Sequence, residues 1–536
     1  MPDIPCGFFQ EAHVVTTGLA ATFGVLARTD NQTAVRVLVP ALKSPRPAIQ
    51  EGALVALLDR HEIAGQREIL AHIPDLPHRW RVLIQENSDR LTGALRAALL
   101  EGDESLAMNA CRAAVMFDNY EVIPALLAAM ENGSPAKIDM AAETLLQLAA
   151  QLYRVLERPL DPADRHDARW SGRHVLASLE NAVQRFGRHK RREVLEAFLL
   201  LADRKNAVLS QILRSPHHVC FLILMDVFAK SEHAAVMRLV ASYLDDPHPP
   251  AAMLHTLAKR SDPKFVRYLL RHVGLELSAT VRQNLKRIES FAWLKNSAGI
   301  IDYLDNSGQL ALVQLVLAAG IPRKQAFSTI EHLLLNGKPA GRREAAAALA
   351  AFNGADANAL ALSALGDPDP QVQANILSHI RERAIPGILP RLMKFIESPN
   401  LEVRRAAQRS LAEYSFPRYV AAFDMLDEKV QRTTGGLVKK VDPQTLPLLR
   451  EELLSHARSR RIRGTHIATA MELGDAVESL LAAMLRDGDP DVRAAAAEAL
   501  GKCTSATALH ALENALADRE PAVKSAVMKA IGECWV

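Results

Sequence analysis

The sequence predicts an all-α fold: an α-solenoid (superhelix) of stacked antiparallel helix pairs, with about 30–31 residues per repeat. Three observations lead there. RDGDPDVRAAAAEALG, residues 486–501, returns one repeat later as ADREPAVKSAVMKAIG, residues 517–532. The apolar positions of each copy fall on one face of a helix. That face can be followed upstream at a nearly constant period.

In the first copy Val492, Ala495, Ala496, Ala499 and Leu500 form the i, i+3, i+4, i+7, i+8 stripe of an amphipathic helix. Asp489 offers an N-cap, and Pro490 follows where a missing N–H costs little. Gly501 is expected to close the helix. AVESLLAAMLRD, just before, supplies a partner helix, so each unit reads helix, tight turn, helix. With Val492 as a ruler, the stripe recurs at Val523, Ile462, Val430, Val403, Val372 and Arg342, then at Leu312, Val281, Pro250 and Val219, a sustained repeat period. At Arg342 and Ile462 a shift of one helical turn also fits. Ile138, Leu106 and Ile49 carry the pattern towards the N-terminus. One helix pair cannot bury its apolar face alone, so the units must stack, roughly 16–17 of them by length.

The expected organisation is N-terminal repeats over 1–155, an inserted loop over 156–172, and continuous repeats over 173–536, all in one body. The loop is read from LERPLDPADRHDARWSG, which has prolines and acids but no apolar stripe. Loops on rigid scaffolds often carry function. A milder break, FPRYVAAFDMLDEKVQRTTGG at 416–436, accompanies a shortened spacing between Val403 and Val430.

Composition fits this plan. The chain has 536 residues, too many for one ordinary core; it is 49% hydrophobic and 23% charged, as folded proteins are, and only 5% aromatic. Its formal charge of +3 does not by itself call for nucleic acid or an acidic membrane. The five cysteines lack a CxxC pair, and Cys503 and Cys534 share one repeat position, so two buried thiols are expected there rather than a disulfide. MPDIPCGFFQEAHVVTTGLAATFGVLA reads as the first helix; no stretch is apolar enough to span a bilayer, and a cytoplasmic location is the default expectation.

GDPDPQVQANILSHI, SPNLEVRRAAQRSLAEY, GDPDVRAAAAEALG and DREPAVKSAVMKAIG resemble the HEAT repeat in the short form first associated with bilin lyases, an armadillo-type solenoid. The resemblance implies that the second helix of each pair, the one holding Val492, lines the concave surface. It does not transfer an activity.

Enzymes on this scaffold set specific tests. Deoxyhypusine hydroxylase takes its iron from repeated His-Glu pairs, whereas this chain has one, His61-Glu62. HEAT-like DNA glycosylases need a carboxylate beside aromatics, and Trp80, Trp170, Trp293 and Trp535 lie far apart in sequence, none in an evident acidic cluster. No H-E-x-x-H, P-loop, G-x-S-x-G or dinucleotide fingerprint occurs. No catalytic residue, cofactor or metal ligand is assigned.

Basic clusters are the stronger signal. RFGRHKRR, residues 185–192, contains Arg188, Lys190, Arg191 and Arg192. Residues 402–463 carry 13 Lys/Arg against 8 Asp/Glu, among them Arg404, Arg405, Arg409, Arg458, Arg460, Arg461 and Arg463. With Val403 facing the core, Arg405 and Arg409 point away from it, towards the groove. Against this, the Arg after the valine belongs to the repeat consensus and pairs with turn acids, and charged helix faces are commonly just solvated. The expected function is a non-catalytic scaffold that binds a protein partner, an acidic one where these arginines form the site. Nucleic-acid binding through a basic groove ranks second, though the scarcity of aromatics argues against a stacking platform. An enzyme with a site built across repeats ranks third.

Overall fold

The computed structural model describes residues 17–159, 162–296 and 298–534. Among these there are 34 α-helices and no strand. The all-helical, paired-helix expectation holds. The chain divides into two compact units, Met1–Ile300 with Gln314–Pro322, and Ile301–Val313 with Arg323–Val536. The two units meet in sequence near residue 300.

The expected inserted loop is a helix. Helix Pro135–Glu157 ends and helix Pro162–Gln184 begins, so residues 162–172 belong to a 23-residue helix. Pro162 opens it, where proline's fixed φ is preorganised for a helix. Val175, Leu179, Ala182 and Val183 bury its later turns. The first turns of this helix carry no apolar stripe, and this is why periodicity missed it.

Around Val492 the sequence reading is realised closely. Helix Pro490–Leu500 is capped by the Asp489 carboxylate, which accepts from the N–H groups of Asp491 and Val492. Val492, Ala496 and Leu500 are wholly buried. Gly501 does close the helix, but with an ordinary φ of −62°. Its lack of a side chain serves a close approach instead, since a Cβ there would lie 2.8 Å from Ala530 on the next repeat's helix Pro521–Cys534. Buried residues from Phe416 to Ala530 form one cluster, the shared core that single repeats lack.

Val523, Val403, Val372 and Leu312 are wholly buried, and Val281 nearly so, as the ruler requires. Four other ruler residues are displaced. Val219 is 67% exposed and Val430 is 38% exposed. In helix Phe221–Lys230 the buried stripe Leu224, Val227, Phe228 is led by Cys220, just after Val219. In helix Glu428–Val441 it is led by Gln431, whose amide donates to Phe423 O (2.9 Å) and Leu426 O (3.1 Å). In helix Pro339–Ala348 the stripe runs from Gly341, not Arg342. In helix Arg458–Ala470 the buried Gly464, Ile467 and Ala468 keep register with Arg460, itself exposed, and not with Ile462. A polar or glycine residue at the leading position hides the register from hydrophobicity alone.

Arginines set that register. Arg493 donates to Asp487 O (2.9 Å), in its own turn, and pairs with Asp518 (2.7 Å), in the turn of the next repeat. Arg461 does the same with Ser455 O (3.0 Å) and Asp487 (2.9 Å), and Arg342 with Gly337 O (3.2 Å) and Asp367 (3.0 Å). Each aspartate also accepts a backbone N–H of its own turn, from Asp369, Asp489 or Glu520. At these three places the recurring Arg and Asp are thus two ends of one staple that joins a repeat to the next.

A second set of staples runs backward. The side chain of Arg260 is 1% exposed; it donates to Phe228 O (2.9 Å) and Ser231 O (3.0 Å), pairs with Asp262 (2.9 Å) and lies over the Phe265 ring. Arg60 makes the same move to Leu26 O and Thr29 O (both 2.7 Å) while pairing with Glu62 (3.1 Å). Both satisfy carbonyls that helix ends leave without partners. Sequence reasoning missed both, although R-x-[DE] after a helix was the available signal.

Candidate functional site: an arginine pocket and a four-helix concavity

The basic clusters mostly resolve into internal pairs. Arg458 meets Asp489 (3.0 Å) and Asp491; Arg460 meets Glu452 (2.6 Å); Arg461 meets Asp487; Arg463 meets Glu452 (3.5 Å) and Asp424 (3.8 Å). Upstream, Arg188 pairs with Glu131 (3.8 Å), Arg191 with Asp139 (2.6 Å), and Arg192 with Glu196 (2.6 Å) and Asp226 (2.5 Å). Lys190 has left-handed backbone, φ 52°, closing the short helix Phe186–His189. Arg404 donates to Ser398 O (2.8 Å) and Pro399 O (3.4 Å), as the consensus arginine does elsewhere. Arg458, Arg460, Arg461, Arg463, Arg188, Arg191 and Arg192 thus meet acids of the same or neighbouring repeats.

Arg405 and Arg409 differ. Both stand exposed on helix Leu401–Ser410, one turn apart, and neither makes an ion pair among the described residues. The side-chain bond they do show runs from Arg409 Nε to the Arg405 carbonyl, at 3.3 Å. They line a pocket of about 530 Å³ with Glu402, Gln408, Tyr414, Val441 and Asp442. The Asp442 carboxylate accepts N–H groups from Phe416 and Gln444, both at 2.8 Å. The sequence located the two arginines, but not the wall that the next repeat contributes.

A second concavity, about 380 Å³, draws its wall from four successive second helices: Glu428–Val441, Arg458–Ala470, Pro490–Leu500 and Pro521–Cys534. Its floor is small (Thr469, Ala470, Ala495, Ala499), and exposed His466, Glu498 and Lys529 border it.

Beneath these surfaces Glu452 is 8% exposed. Burial pushes its carboxyl pKa upward, but the bond and charge of Arg460, with Arg463, outweigh burial and hold it below the usual range. A group depressed in the folded state stabilises the fold above its unfolded pKa. That stability is lost as pH falls through the folded value. Glu452→Gln should therefore lower the melting temperature at pH 7 and flatten its decline between about pH 5 and pH 3. An unaltered pH profile would contradict this account of the Arg460–Glu452–Arg463 cluster.

Other sequence candidates have local roles. Glu62 of the His-Glu pair is engaged by Arg60, and His61 sits at φ 52° in the turn. Trp170, expected apart from any acid, stacks on His174 (4.0 Å) and shares a pocket of about 220 Å³ with Tyr120, Glu121 and Arg96. Neighbouring repeats bring these together although they lie far apart in sequence. Glu121 remains solvent-exposed and paired with Arg96 (3.6 Å). Cys503 is buried as expected, whereas the side chain of Cys534, and all of Trp535, lie outside the described residues. So does the start of the expected first helix, whose described part is Thr17–Arg28. Among the described residues no helix is long and apolar enough to cross a membrane.

Helix pairs stapled from turn to turn around a shared core define an α-solenoid. Residues 357–441 and 477–534 match the family model of HEAT repeats, so these two stretches carry HEAT repeats within an all-helical, paired-helix fold. A search of curated proteins finds no match. Among solved structures, the chain is similar to Kap121p (14% identity, 96% of this chain and 53% of that one, TM-score 0.24). It is also similar to importin beta (13% identity, 93% and 81%, TM-score 0.27) and to human deoxyhypusine hydroxylase (19% identity, 56% and 96%, TM-score 0.17). The chain spans about half the length of Kap121p.

Proposed function

We propose that the protein is a non-catalytic scaffold, working in the cytoplasm, that binds a protein partner along the second helices of its repeats. The observation that carries this reading is the concavity walled by four successive second helices. Each repeat adds a helix face to one shared surface, and an extended polypeptide makes many contacts on such a surface. Small floor residues leave room for partner side chains, and the bordering charges set their register.

The test reverses the border. A His466→Glu, Glu498→Lys, Lys529→Glu chain changes three exposed side chains and should fold with unchanged helix content and melting temperature. Immobilised wild-type chain should retain proteins from native extract after nuclease treatment, and the triple variant should lose them at least tenfold. Retention that disappears with nuclease would replace this reading with nucleic-acid binding. Equal retention by both chains would remove the concavity from it.

A further inference from the structure

We infer that the pocket beside helix Leu401–Ser410 binds the side-chain carboxylates of an acidic, extended segment of the partner protein, with Arg405 and Arg409 as the receiving forks. The inference rests on the protein-binding reading and adds the chemistry of the partner.

The two arginines form an unanswered pair of like charges at i and i+4, an arrangement that is unfavourable on a helix while no anion is present. Elsewhere in the basic stretch the protein answers such charges: Arg458, Arg460, Arg461 and Arg463 all have acids at hand. Here the near acids are otherwise placed. Asp442 is held by two backbone N–H groups, and Glu402 stands in the first turn of its helix, where the helix dipole favours a negative charge. The Gln408 amide and Tyr414 hydroxyl add donors that no acceptor among the described residues occupies. A planar guanidinium receives a carboxylate through two parallel bonds. Val441 offers an apolar wall to the methylene stems of Asp or Glu side chains.

The same geometry favours a peptide over a nucleic acid. A phosphate backbone is tracked by a continuous basic stripe. Some cations elsewhere in this stretch are neutralised, Arg432 by Glu428 (2.5 Å) and Arg463 by Asp424 and Glu452, while Lys439 and Arg450 turn to backbone carbonyls of the next repeat. Within this pocket the basic patch is two arginines wide, suited to one or two carboxylates.

The experiment titrates the full chain into a fluorescein-labelled decapeptide of alternating Glu and Gly, reading anisotropy. The Gln–Gly counterpart and a labelled single-stranded oligonucleotide serve as the other probes. The Glu peptide should bind at least tenfold more tightly than the Gln peptide. Arg405→Gln/Arg409→Gln should abolish that preference, while Arg81→Gln, a distant exposed arginine, should preserve it. Both variants should match the wild-type melting temperature. Equal binding of the two peptides, or a preference that survives the double substitution, would overturn the inference. Tighter binding of the oligonucleotide, lost in the same double variant, would overturn it in favour of nucleic acid. If nuclease-resistant capture still depends on His466, Glu498 and Lys529 while the Glu peptide fails, the inference falls and the scaffold reading stands.

Discussion

Replacing Arg260 by Met should cost about 3–5 kcal/mol of local stability, the largest loss expected from any one of these staples. Methionine keeps an unbranched apolar stem, so the loss reports on the guanidinium, including its contact with the Phe265 ring at 4.3 Å. Without it, the Phe228 and Ser231 carbonyls lose their donor and Asp262 loses its ion partner. Arg260→Lys should fall between, because one ammonium cannot reproduce the fork that reaches two carbonyls and a carboxylate together. Repeat arrays need not unfold in one step, so a single midpoint would understate the change. Amide hydrogen exchange is the suitable readout. Protection should fall in helix Ala234–Ser242 and helix Pro263–Val273, with little change in the repeats beyond residue 323. Uniform loss along the chain, or none, would contradict the backward staple as a local tie between adjacent repeats.

Gly320→Ala should be the second most damaging. Its backbone is not in a glycine-only region, yet a Cβ there would lie 2.2 Å from the Lys286 carbonyl oxygen and 3.3 Å from that of Ile288. The Gly320 N–H also donates to Leu285 O at 3.2 Å, which draws the two segments together. No flexible side chain can retreat, so the backbone must move, at a cost of about 1–3 kcal/mol. Gly274→Ala is the informative comparison. Gly274 has φ +66° and open space around its Cβ position, so it suffers conformational strain alone, about 1–2 kcal/mol. Thermal melts should rank wild type above Gly274→Ala and both above Gly320→Ala. In the Gly320 variant, exchange should quicken at the end of helix Ala279–Lys286. A Gly320→Ala chain as stable as wild type would mean that the close approach relaxes freely.

Much of the site was legible from one repeat. Placing Val403 in the core turns Arg405 and Arg409 outward, and both are exposed. Tyr414, Val441 and Asp442, which complete their pocket, come from later turns and left no periodic trace. The concavity was implied only as a second-helix face, and the four helices that meet there depend on stacking. Arg458, Arg460, Arg461 and Arg463 looked equivalent to Arg405 in a charge count. Which of them would be neutralised depended on the acids that the same and neighbouring repeats bring within reach, Glu452 for Arg460 and Asp424 for Arg463.

By itself the sequence determined the helix pairs, their period near 30, the Asp489-type caps and the buried face at Val492, Val403 and Val372. These follow from hydrophobic spacing and capping within a few turns of one chain segment, where no distant partner is consulted. Tertiary structure alone decided that 162–172 is helix, that Cys220, Gly341, Gln431 and Arg460 lead their stripes, and that the units divide near residue 300. It also decided which of the candidate arginines bind the protein itself and that Arg405 and Arg409 face outward without an ion pair among the described residues. Those outcomes turn on what the neighbouring repeat places within reach, about one repeat length away along the chain, and local spacing carries no information about that reach.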